Sequence, residues 1–240
     1  RPPRSTLFPY PTLFRSYWFL VVRKDLGVRR GDLHALKGLR IGAAPGPADG
    51  LRRMLAESGI DADRDVKIAP VPGSAAAGAS FGMAAAQALE DGAVDGFWAN
   101  GMGAEVALRR GVGTLVIDAR RGDGPEGCRD YTFPALVATE RKIEENPEEV
   151  AAAVRAIVAA QRALRYDPSI AADAAKKHFP AAELALIAEL VWRDSLFYDP
   201  EISEESVDSL NAFARATGLL AGDPPYEDVV ATRVQALLRR

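Results

Sequence analysis

Residues 39–48, LRIGAAPGPA, contain the clearest structural pattern of this 240-residue chain. Leu39–Ala43 is a short apolar run of the kind that forms a buried strand, and the Pro/Gly sequence that follows predicts a turn. A helix is predicted from Ala48 to about Ser58, because three apolar residues share one face of that segment: Leu51, Met54 and Leu55. Pro47 suits the first helical turn and Gly59 suits the end of the helix. The stretch therefore predicts a strand–turn–helix unit.

The same alternation continues on both sides of this unit. Upstream, Tyr17–Val22 (YWFLVV) is an apolar run that predicts a strand buried on both faces. Downstream, strands are predicted at Val66–Val71, Val94–Trp98 and Thr114–Asp118, with helices near Ala75–Leu89 and Gly103–Arg110. Strands separated by helices of this length indicate right-handed βαβ units, so the fold class is α/β with a mostly parallel sheet.

The sequence changes character after a glycine-rich loop and one further predicted strand, Phe133–Thr139. From there it predicts helices to the end of the chain. The clearest helix begins at Asn146-Pro147, with Asn146 as the expected cap, and carries apolar residues at a helical period. Further helices are predicted at Ile170–His178, Ala181–Asp194, Ser203–Thr217 and Glu227–Leu238, with Ser203 as a cap.

Residues 5–16, STLFPYPTLFRS, follow neither a core period nor a capping pattern and contain two prolines. The stretch resembles the translation of a sequencing adapter fused to an open reading frame, and the alternative is a genuine Pro-rich extended arm. We therefore set residues 1–16 aside from the fold prediction.

Composition excludes several classes of function. Thirty basic and 33 acidic residues give a formal net charge of −3, which argues against a nucleic-acid partner. One cysteine, Cys128, excludes an internal disulfide and a multi-thiolate metal site. There are only two histidines, and no nucleotide-binding, HExxH or GxSxG motif occurs. We expect no catalytic residue, no metal and no cofactor.

The remaining candidates are loops that follow predicted parallel strands, because open α/β sheets bind ligands at the carboxyl ends of their strands. In the first loop, helix-start N–H groups are expected to hold a polar ligand, and the alternative is a plain strand-to-helix turn. In the second, Ser74 is either a helix N-cap or a ligand donor. In the third, Trp98 and Asn100 offer a flat apolar wall and an amide, and the alternative for Trp98 is core packing. The candidate ligand-binding residues are Ala44, Gly46, Pro47, Ala48, Ser74, Trp98, Asn100 and Phe133.

Three segments in this order resemble the solute-binding proteins of bacterial ABC importers. They are LKGLRIGAAPG, AAAQALEDGAVDGFWAN and FPALVATERKIEENPEEVAAAVRAIVAAQRAL. The branch they resemble includes sulfonate, taurine, nitrate and thiamine-pyrimidine binders. The match to the family pattern A-L-x-x-G-x-V-D-G runs from Ala88 to Gly96, and the later N-P-E-x-V helix start lies at Asn146–Val150.

The resemblance implies a type II periplasmic-binding-protein-like fold with two lobes, mostly parallel sheets and a helical C-terminal part. Residues 17–28 are expected to form a hinge strand, 29–130 a contiguous second lobe, and 131–240 a return strand with helices that pack on the first lobe. The family's usual first β-α-β segment has no counterpart in this sequence, so the first lobe is expected to be incomplete.

The resemblance also implies a function: capture of a small organic solute in a cleft between lobes, with ABC permease subunits as partners. The expected location is the periplasm or the cell surface, with peripheral or lipid-anchored membrane association. No Arg or Lys occurs in the three loops, which disfavours a strongly anionic ligand and favours an apolar or aromatic one stacked on Trp98. Two alternatives stay open: a pyrimidine-synthase-like enzyme of the same superfamily, and the effector-sensing domain of a transcription regulator.

Overall fold

A computed structural model describes residues 5–12, 18–75, 80–128 and 134–232, with residues 5–12 described by their backbone. The chain divides into two compact units. We call Ser16–Arg129 the sheet unit, and Arg1–Arg15 together with Asp130–Arg240 the helical unit. Among the described residues, no helix combines the length and apolarity needed to cross a membrane.

Where the structure describes it, the sheet unit is built on five strands, β2 to β6, and three α-helices. In chain order these are β2 (Phe19–Arg23), β3 (Arg40–Ala43), α1 (Pro47–Glu57), β4 (Lys67–Ala69), α2 (Phe81–Glu90), β5 (Gly96–Ala99), α3 (Gly101–Arg109) and β6 (Gly113–Asp118). The strand order is β4-β3-β5-β2-β6. Strand β3 is parallel to β4 and β5, whereas β2 is antiparallel to β5 and β6. The predicted α/β class and the mainly parallel sheet are confirmed.

Strand β2 is the reversed strand of this sheet, and its four residues Phe19–Val22 are all buried. Its two edges pair with β5 and β6, and α2 and α3 pack against it, which is consistent with the apolar character of the strand. The compact sheet unit therefore includes residues 17–28, which the sequence analysis separated as a hinge. Their role as a hinge stays a prediction.

The segment that matches A-L-x-x-G-x-V-D-G has a structural role at the amino ends of β3 and β5. Asp95 accepts hydrogen bonds from Arg40 Nε at 2.9 Å, Arg40 Nη2 at 2.8 Å and the Arg40 backbone N–H at 2.9 Å. The same guanidinium donates to the carbonyls of Gly92 and Ala93. The Arg40 guanidinium holds the pKa of Asp95 below its usual range through these hydrogen bonds. This charged clamp ties the start of β3 to the start of β5.

The helical unit contains a two-stranded sheet and six α-helices among its described residues. Strand β1 (Ser5–Thr12) pairs antiparallel with β7 (Ala135–Thr139). The helices are α4 (Glu140–Glu145), α5 (Pro147–Tyr166), α6 (Ser169–Ala175), α7 (Ala181–Asp194), α8 (Glu204–Ala216) and α9 (Tyr226–Val229). Residues 1–16, which were set aside from the fold prediction, thus include a paired strand. The sequence did not reveal it, because backbone hydrogen bonds to β7 can form without a periodic pattern of apolar residues in β1.

Two predicted helix caps in the helical unit have different outcomes. Ser203 caps α8 as predicted, since its hydroxyl accepts a hydrogen bond from the Ser206 backbone N–H at 3.1 Å. Asn146 precedes α5 as predicted, but its side chain makes no capping hydrogen bond, so that prediction is wrong. The preceding helix α4 ends at Glu145, so Asn146 joins two helices rather than a loop and a helix.

Candidate functional site

The carboxyl ends of β3 and β5 define the candidate site in the sheet unit. Along the chain, β3 is followed by β4 on one side of it and then by β5 on the other. The strand order therefore reverses between β3 and β5, and open α/β sheets bind ligands at such a point. Because β2 runs in the opposite direction, its first residues lie at this same edge. We call this region the carboxyl edge.

The loop after β3 forms a tight turn into α1. Gly46 has a φ of 73°, a conformation that favours glycine, and Pro47 occupies the first helical turn. The Ala48 N–H donates to the Ala44 carbonyl at 3.0 Å, and the Asp49 N–H donates to the Gly46 carbonyl at 2.9 Å. Both N–H groups therefore have hydrogen-bond acceptors within the loop, which agrees with the alternative interpretation of a plain strand-to-helix turn. Ligand contact by Ala44, Gly46, Pro47 and Ala48 stays a prediction.

Ser74 is not a helix N-cap, which corrects one of its two interpretations. Helix α2 begins at Phe81, and Ser80 precedes it. The hydroxyl of Ser74 donates to the Val71 carbonyl at 2.8 Å, and its backbone N–H bonds to the same carbonyl at 3.2 Å. Ser74 therefore closes a local turn after β4, and its role as a ligand donor stays a prediction.

The loop after β5 brings Asn100 to a close crossing of two helices. Gly82 in the first turn of α2 meets Gly103 in the first turn of α3 so closely that a Cβ on Gly82 would lie 2.7 Å from the Gly103 nitrogen. The same Cβ position lies 3.1 Å from Asn100 Oδ1. Asn100 is exposed and makes no side-chain cap bond to α3. Its amide is therefore placed beside the crossing and open to solvent.

Trp98 is the largest fully buried side chain among the described residues, with 0% exposure. Its ring stacks on that of Trp18, with ring centroids 6.1 Å apart and planes at 17°. Trp18 precedes β2 and is partly exposed at the carboxyl edge. Sequence reasoning missed Trp18 as a site residue. The alternation of side chains along the strand YWFLVV could have identified it, because Trp18 and Leu20 are two residues apart and therefore point to the same face of the sheet. Leu20 lies opposite Trp98 in the pairing of β2 with β5, so Trp18 and Trp98 are neighbours on that face.

An ion pair at the end of β6 was also missed. The side chains of Asp118 and Arg120 are both 2% exposed, and Arg120 donates from Nε and Nη2 to the carboxylate at 2.9 Å each. The Arg120 guanidinium lies 4.4 Å from the centroid of the Phe19 ring, a cation–π contact. Arg121 also approaches Asp118, at 3.3 Å. The carboxylate of Asp118 thus balances arginine charge at this edge.

Other candidates give no reactive group. Burial raises the pKa of the Cys128 thiol to about 11, and the negative charge of Glu57 adds to the effect. The thiol is therefore protonated at neutral pH and is not an activated nucleophile. Among the residues that the structure describes, no cluster of His, Cys, Asp and Glu is arranged to hold a metal ion. Phe133, the last predicted ligand-binding residue, lies outside the described residues.

Comparisons with solved structures reveal the same fold in periplasmic binding proteins. One is described as the periplasmic sulfonate-binding protein SsuA of a sulfonate ABC transporter from Methylobacillus flagellatus KT, with a TM-score of 0.66 and 21% identity over 98% of this chain and 68% of that chain. Another is the periplasmic nitrate-binding protein NrtA from Synechocystis PCC 6803, with a TM-score of 0.63 and 14% identity over 99% and 64% of the two chains. The desulfurization enzyme DSZB matches with a TM-score of 0.56 and 17% identity over 99% and 80%.

No curated protein matches the sequence of this chain. The model of the NMT1-like family matches residues 31–178, which is more than half of the 240 residues. This range spans the strand–turn–helix unit formed by β3 and α1, both glycines of the helix crossing, and the long helix α5. The chain, with the fold of the periplasmic binding proteins, is a member of the NMT1-like family.

Proposed function

We propose that this chain is the substrate-binding component of an ABC importer and that it captures a small organic solute at the carboxyl edge of the sheet unit. The observation that carries the proposal is the shared fold with periplasmic sulfonate- and nitrate-binding proteins over 98–99% of the chain. Its partners would be ABC permease subunits, and its location the periplasm or the cell surface, with peripheral or lipid-anchored membrane association.

The arrangement of the carboxyl edge supports binding of a solute. Helices α1 and α3 both begin there, directly after β3 and β5, and the positive ends of their dipoles face the same region. Asn100 adds an exposed amide that can both donate and accept hydrogen bonds. Trp18 adds a partly exposed aromatic surface. A binding protein requires only such contacts, and no reacting group takes part.

An enzyme is the second candidate, because DSZB shares the fold. The described residues favour binding over catalysis. Cys128 is a buried thiol with a raised pKa, and His34 and His178 are both exposed and lie in different compact units. Mass spectrometry of each solute after incubation with the protein separates the two functions. A binding protein returns the solute unchanged, whereas turnover would assign an enzyme.

A thermal-shift screen of the full chain against small acids, sulfonates, amines and pyrimidines tests the proposal. A solute present at about 100 times its Kd stabilises the folded protein by about 2.7 kcal/mol, which corresponds to a rise in Tm of roughly 5–10 °C. We expect one chemical class to produce a saturable shift of this kind. Absence of a shift with every class would contradict the proposal.

Asn100 provides the site-directed arm of the same experiment. Replacing Asn100 by Ala should weaken binding of the stabilising solute by roughly 1–3 kcal/mol, because a ligand group loses its hydrogen-bond partner. Asn146→Ala is the matched control, since Asn146 is an exposed asparagine in the helical unit without a capping bond. Equal affinities of the two variants would remove Asn100 from the site.

A further inference from the structure

Helix α7 exposes its side chains along one stripe. In Ala181–Asp194 and the 3₁₀ turn Ser195–Phe197 that follows, the exposed residues that the structure describes recur every three or four positions. Side chains at this spacing lie on one face of a helix. The outward face of a surface helix is normally polar, yet four of the five exposed residues are apolar. We call the five residues the α7 stripe: Ala181, Ala185, Glu189, Trp192 and Leu196.

Large apolar side chains are concentrated at the C-terminal end of the α7 stripe. Trp192 is 70% exposed and Leu196 is 85% exposed. Tyr166, the last residue of α5, is 92% exposed. It lies near the same end, because its neighbour Arg165 donates from Nε to the Ser195 carbonyl at 3.2 Å. The other end of the stripe carries only the methyl groups of two alanines. Exposed apolar surface of this extent marks an interaction site.

The order of large and small residues fits a second copy of the same stripe. In an antiparallel pair of α7 helices with a two-fold axis near Glu189, Trp192 of one copy lies opposite Ala185 of the other. Leu196 then lies opposite Ala181. Each large side chain therefore meets a small one, and the two-fold axis repeats both contacts. A parallel pair would place the large side chains against each other.

The apolar area of the stripe supports a weak dimer. A tryptophan or tyrosine side chain covers about 150–250 Å². With the exposed fractions of Trp192, Tyr166 and Leu196, each copy offers roughly 450 Å², and a pair buries about 900 Å². This value lies among those of transient interfaces and below those of obligate dimers. We therefore expect a dimer that dissociates on dilution.

The charges of α7 favour a second copy over a lipid surface. The cytoplasmic membrane surfaces that attract peripheral proteins are anionic and bind basic segments. Helix α7 contains three acidic residues and one basic residue, Arg193, whose Nε donates to Asp194 at 2.9 Å. The whole chain has a formal net charge of −3. Glu189 is the only charged residue of the stripe and lies nearest the two-fold axis, so the two carboxylates of a pair repel each other and limit its affinity.

We propose that the α7 stripe is a self-association surface through which two copies of this chain form a weak, antiparallel dimer. The large end of each stripe packs on the alanines of the other. The contact involves only the helical unit, so it leaves the carboxyl edge of the sheet unit open for solute.

Sedimentation equilibrium of the full chain from about 1 to 200 µM tests the association. The average mass should rise from that of a monomer towards that of a dimer. Leu196→Glu should raise the Kd of the dimer at least tenfold, because it places a charge against an alanine of the other copy. Leu219→Glu is the matched control, since Leu219 is a 71% exposed leucine of the helical unit outside the stripe, and it should leave the Kd unchanged. Glu189→Gln should lower the Kd severalfold, because the repulsion at the axis is removed.

Disulfide cross-linking tests the antiparallel geometry. Glu189→Cys should form a covalent dimer under mild oxidation, because the two copies of position 189 lie close together at the axis. Ala181→Cys should not, because the two copies of position 181 would be about 22 Å apart along the helices. Cys128 is 3% exposed, so the native thiol does not compete. Circular dichroism melts of all variants establish that each one is folded.

A monomer at every concentration would overturn the inference, as would equal weakening by Leu196→Glu and Leu219→Glu. Cross-linking of Ala181→Cys without cross-linking of Glu189→Cys would overturn the antiparallel arrangement. Flotation with phosphatidylserine vesicles supplies the remaining comparison. Vesicle binding that Leu196→Glu abolishes, in a chain that stays monomeric, would assign the stripe to a lipid surface instead.

Discussion

The sheet unit and the helical unit bury their apolar side chains to very different extents. The ten largest fully buried side chains among the described residues all lie in the sheet unit, from Leu20 to Trp98. Of the nine large hydrophobic residues that are exposed in the described part of the chain, seven lie in the helical unit, including Tyr166 at 92%, Trp192 at 70% and Leu196 at 85%. Burial of apolar surface dominates folding free energy, so stability should be concentrated in the sheet unit.

The difference follows from the strands that each unit offers to its helices. Five strands give the sheet unit two broad faces on which helices pack. Among the described residues of the helical unit, the sheet has two strands, and two small groups of buried residues form separate clusters. One group centres on Val154 of α5 and the other on Val207 of α8. Helices of similar amphipathic pattern are therefore buried to different depths in the two units.

The largest expected effect compares one tryptophan from each unit. Trp98→Ala should lower the free energy of unfolding by roughly 3–5 kcal/mol, because it removes a buried ring and leaves a cavity. Trp192→Ala should change it by less than about 0.5 kcal/mol, since the side chain is 70% exposed. Urea denaturation followed by circular dichroism measures both. An equal decrease in the free energy of unfolding for both variants would show that the exposure of a side chain in this structure does not predict its contribution to stability.

The helix crossing in the sheet unit gives the next effect. Gly82→Ala should destabilise by roughly 1–3 kcal/mol, because the added Cβ would lie 2.7 Å from a backbone nitrogen of α3. This loss should exceed the gain of about 1 kcal/mol that alanine brings to a helix interior. Gly222→Ala in the helical unit is the control, since a Cβ there meets nothing within 4 Å. A stabilised Gly82→Ala variant would contradict the close approach of α2 and α3.

A smaller effect distinguishes two caps within the helical unit. Ser203→Ala should cost about 1 kcal/mol, because the Ser206 N–H loses its side-chain acceptor. Asn146→Ala should cost less than about 0.5 kcal/mol, because no capping bond is lost. Thermal unfolding of both variants gives the comparison. If Asn146→Ala is the more destabilising of the two, the cap geometry at α5 is different from that described.

Acid gives the mildest perturbation of the sheet unit. Hydrogen bonds from Arg64 and then Lys37 lower the pKa of Asp65 to about 2. In the unfolded chain the pKa of this carboxyl group is about 4, roughly two units higher than in the folded protein. The stabilisation from Asp65 is therefore present above about pH 4 and is lost as the pH falls towards 2. The Tm of Asp65→Asn should depend less on pH across this range than that of the unchanged chain. Parallel pH profiles would contradict this assignment.

Local signals in the sequence predicted much of the sheet unit. The strand at Arg40–Ala43 and the helix at Pro47–Glu57 are bounded by proline and glycine, which act within a few residues. Helix α7 agrees with its predicted range Ala181–Asp194, because its ends coincide with Pro180 and Asp194-Ser195. Such local signals could not predict which strands pair when the strands lie far apart in the sequence. The antiparallel direction of β2 and the pairing of β1 with β7 depend on segments that lie far apart in sequence.

In the candidate site too, some features could be predicted from the sequence and others could not. Loops after β3 and β5 were predicted from strand order, and the structure places both at the carboxyl edge. The turn at Ser74 was misassigned as a possible cap because helix α2 begins seven residues later, at Phe81. Trp18 was missed because it is 80 positions from Trp98 in the sequence and meets it only through strand pairing.

Hydrogen exchange of the full chain, with and without the solute that gives the largest thermal shift, tests the central claim most directly. The claim is that solute binds at the carboxyl edge of the sheet unit. The account predicts slower exchange in peptides that cover residues 44–50 and 99–105, with unchanged exchange across α7 at Ala181–Asp194. Protection confined to α7, or unchanged exchange in both loops at saturating solute, would contradict it.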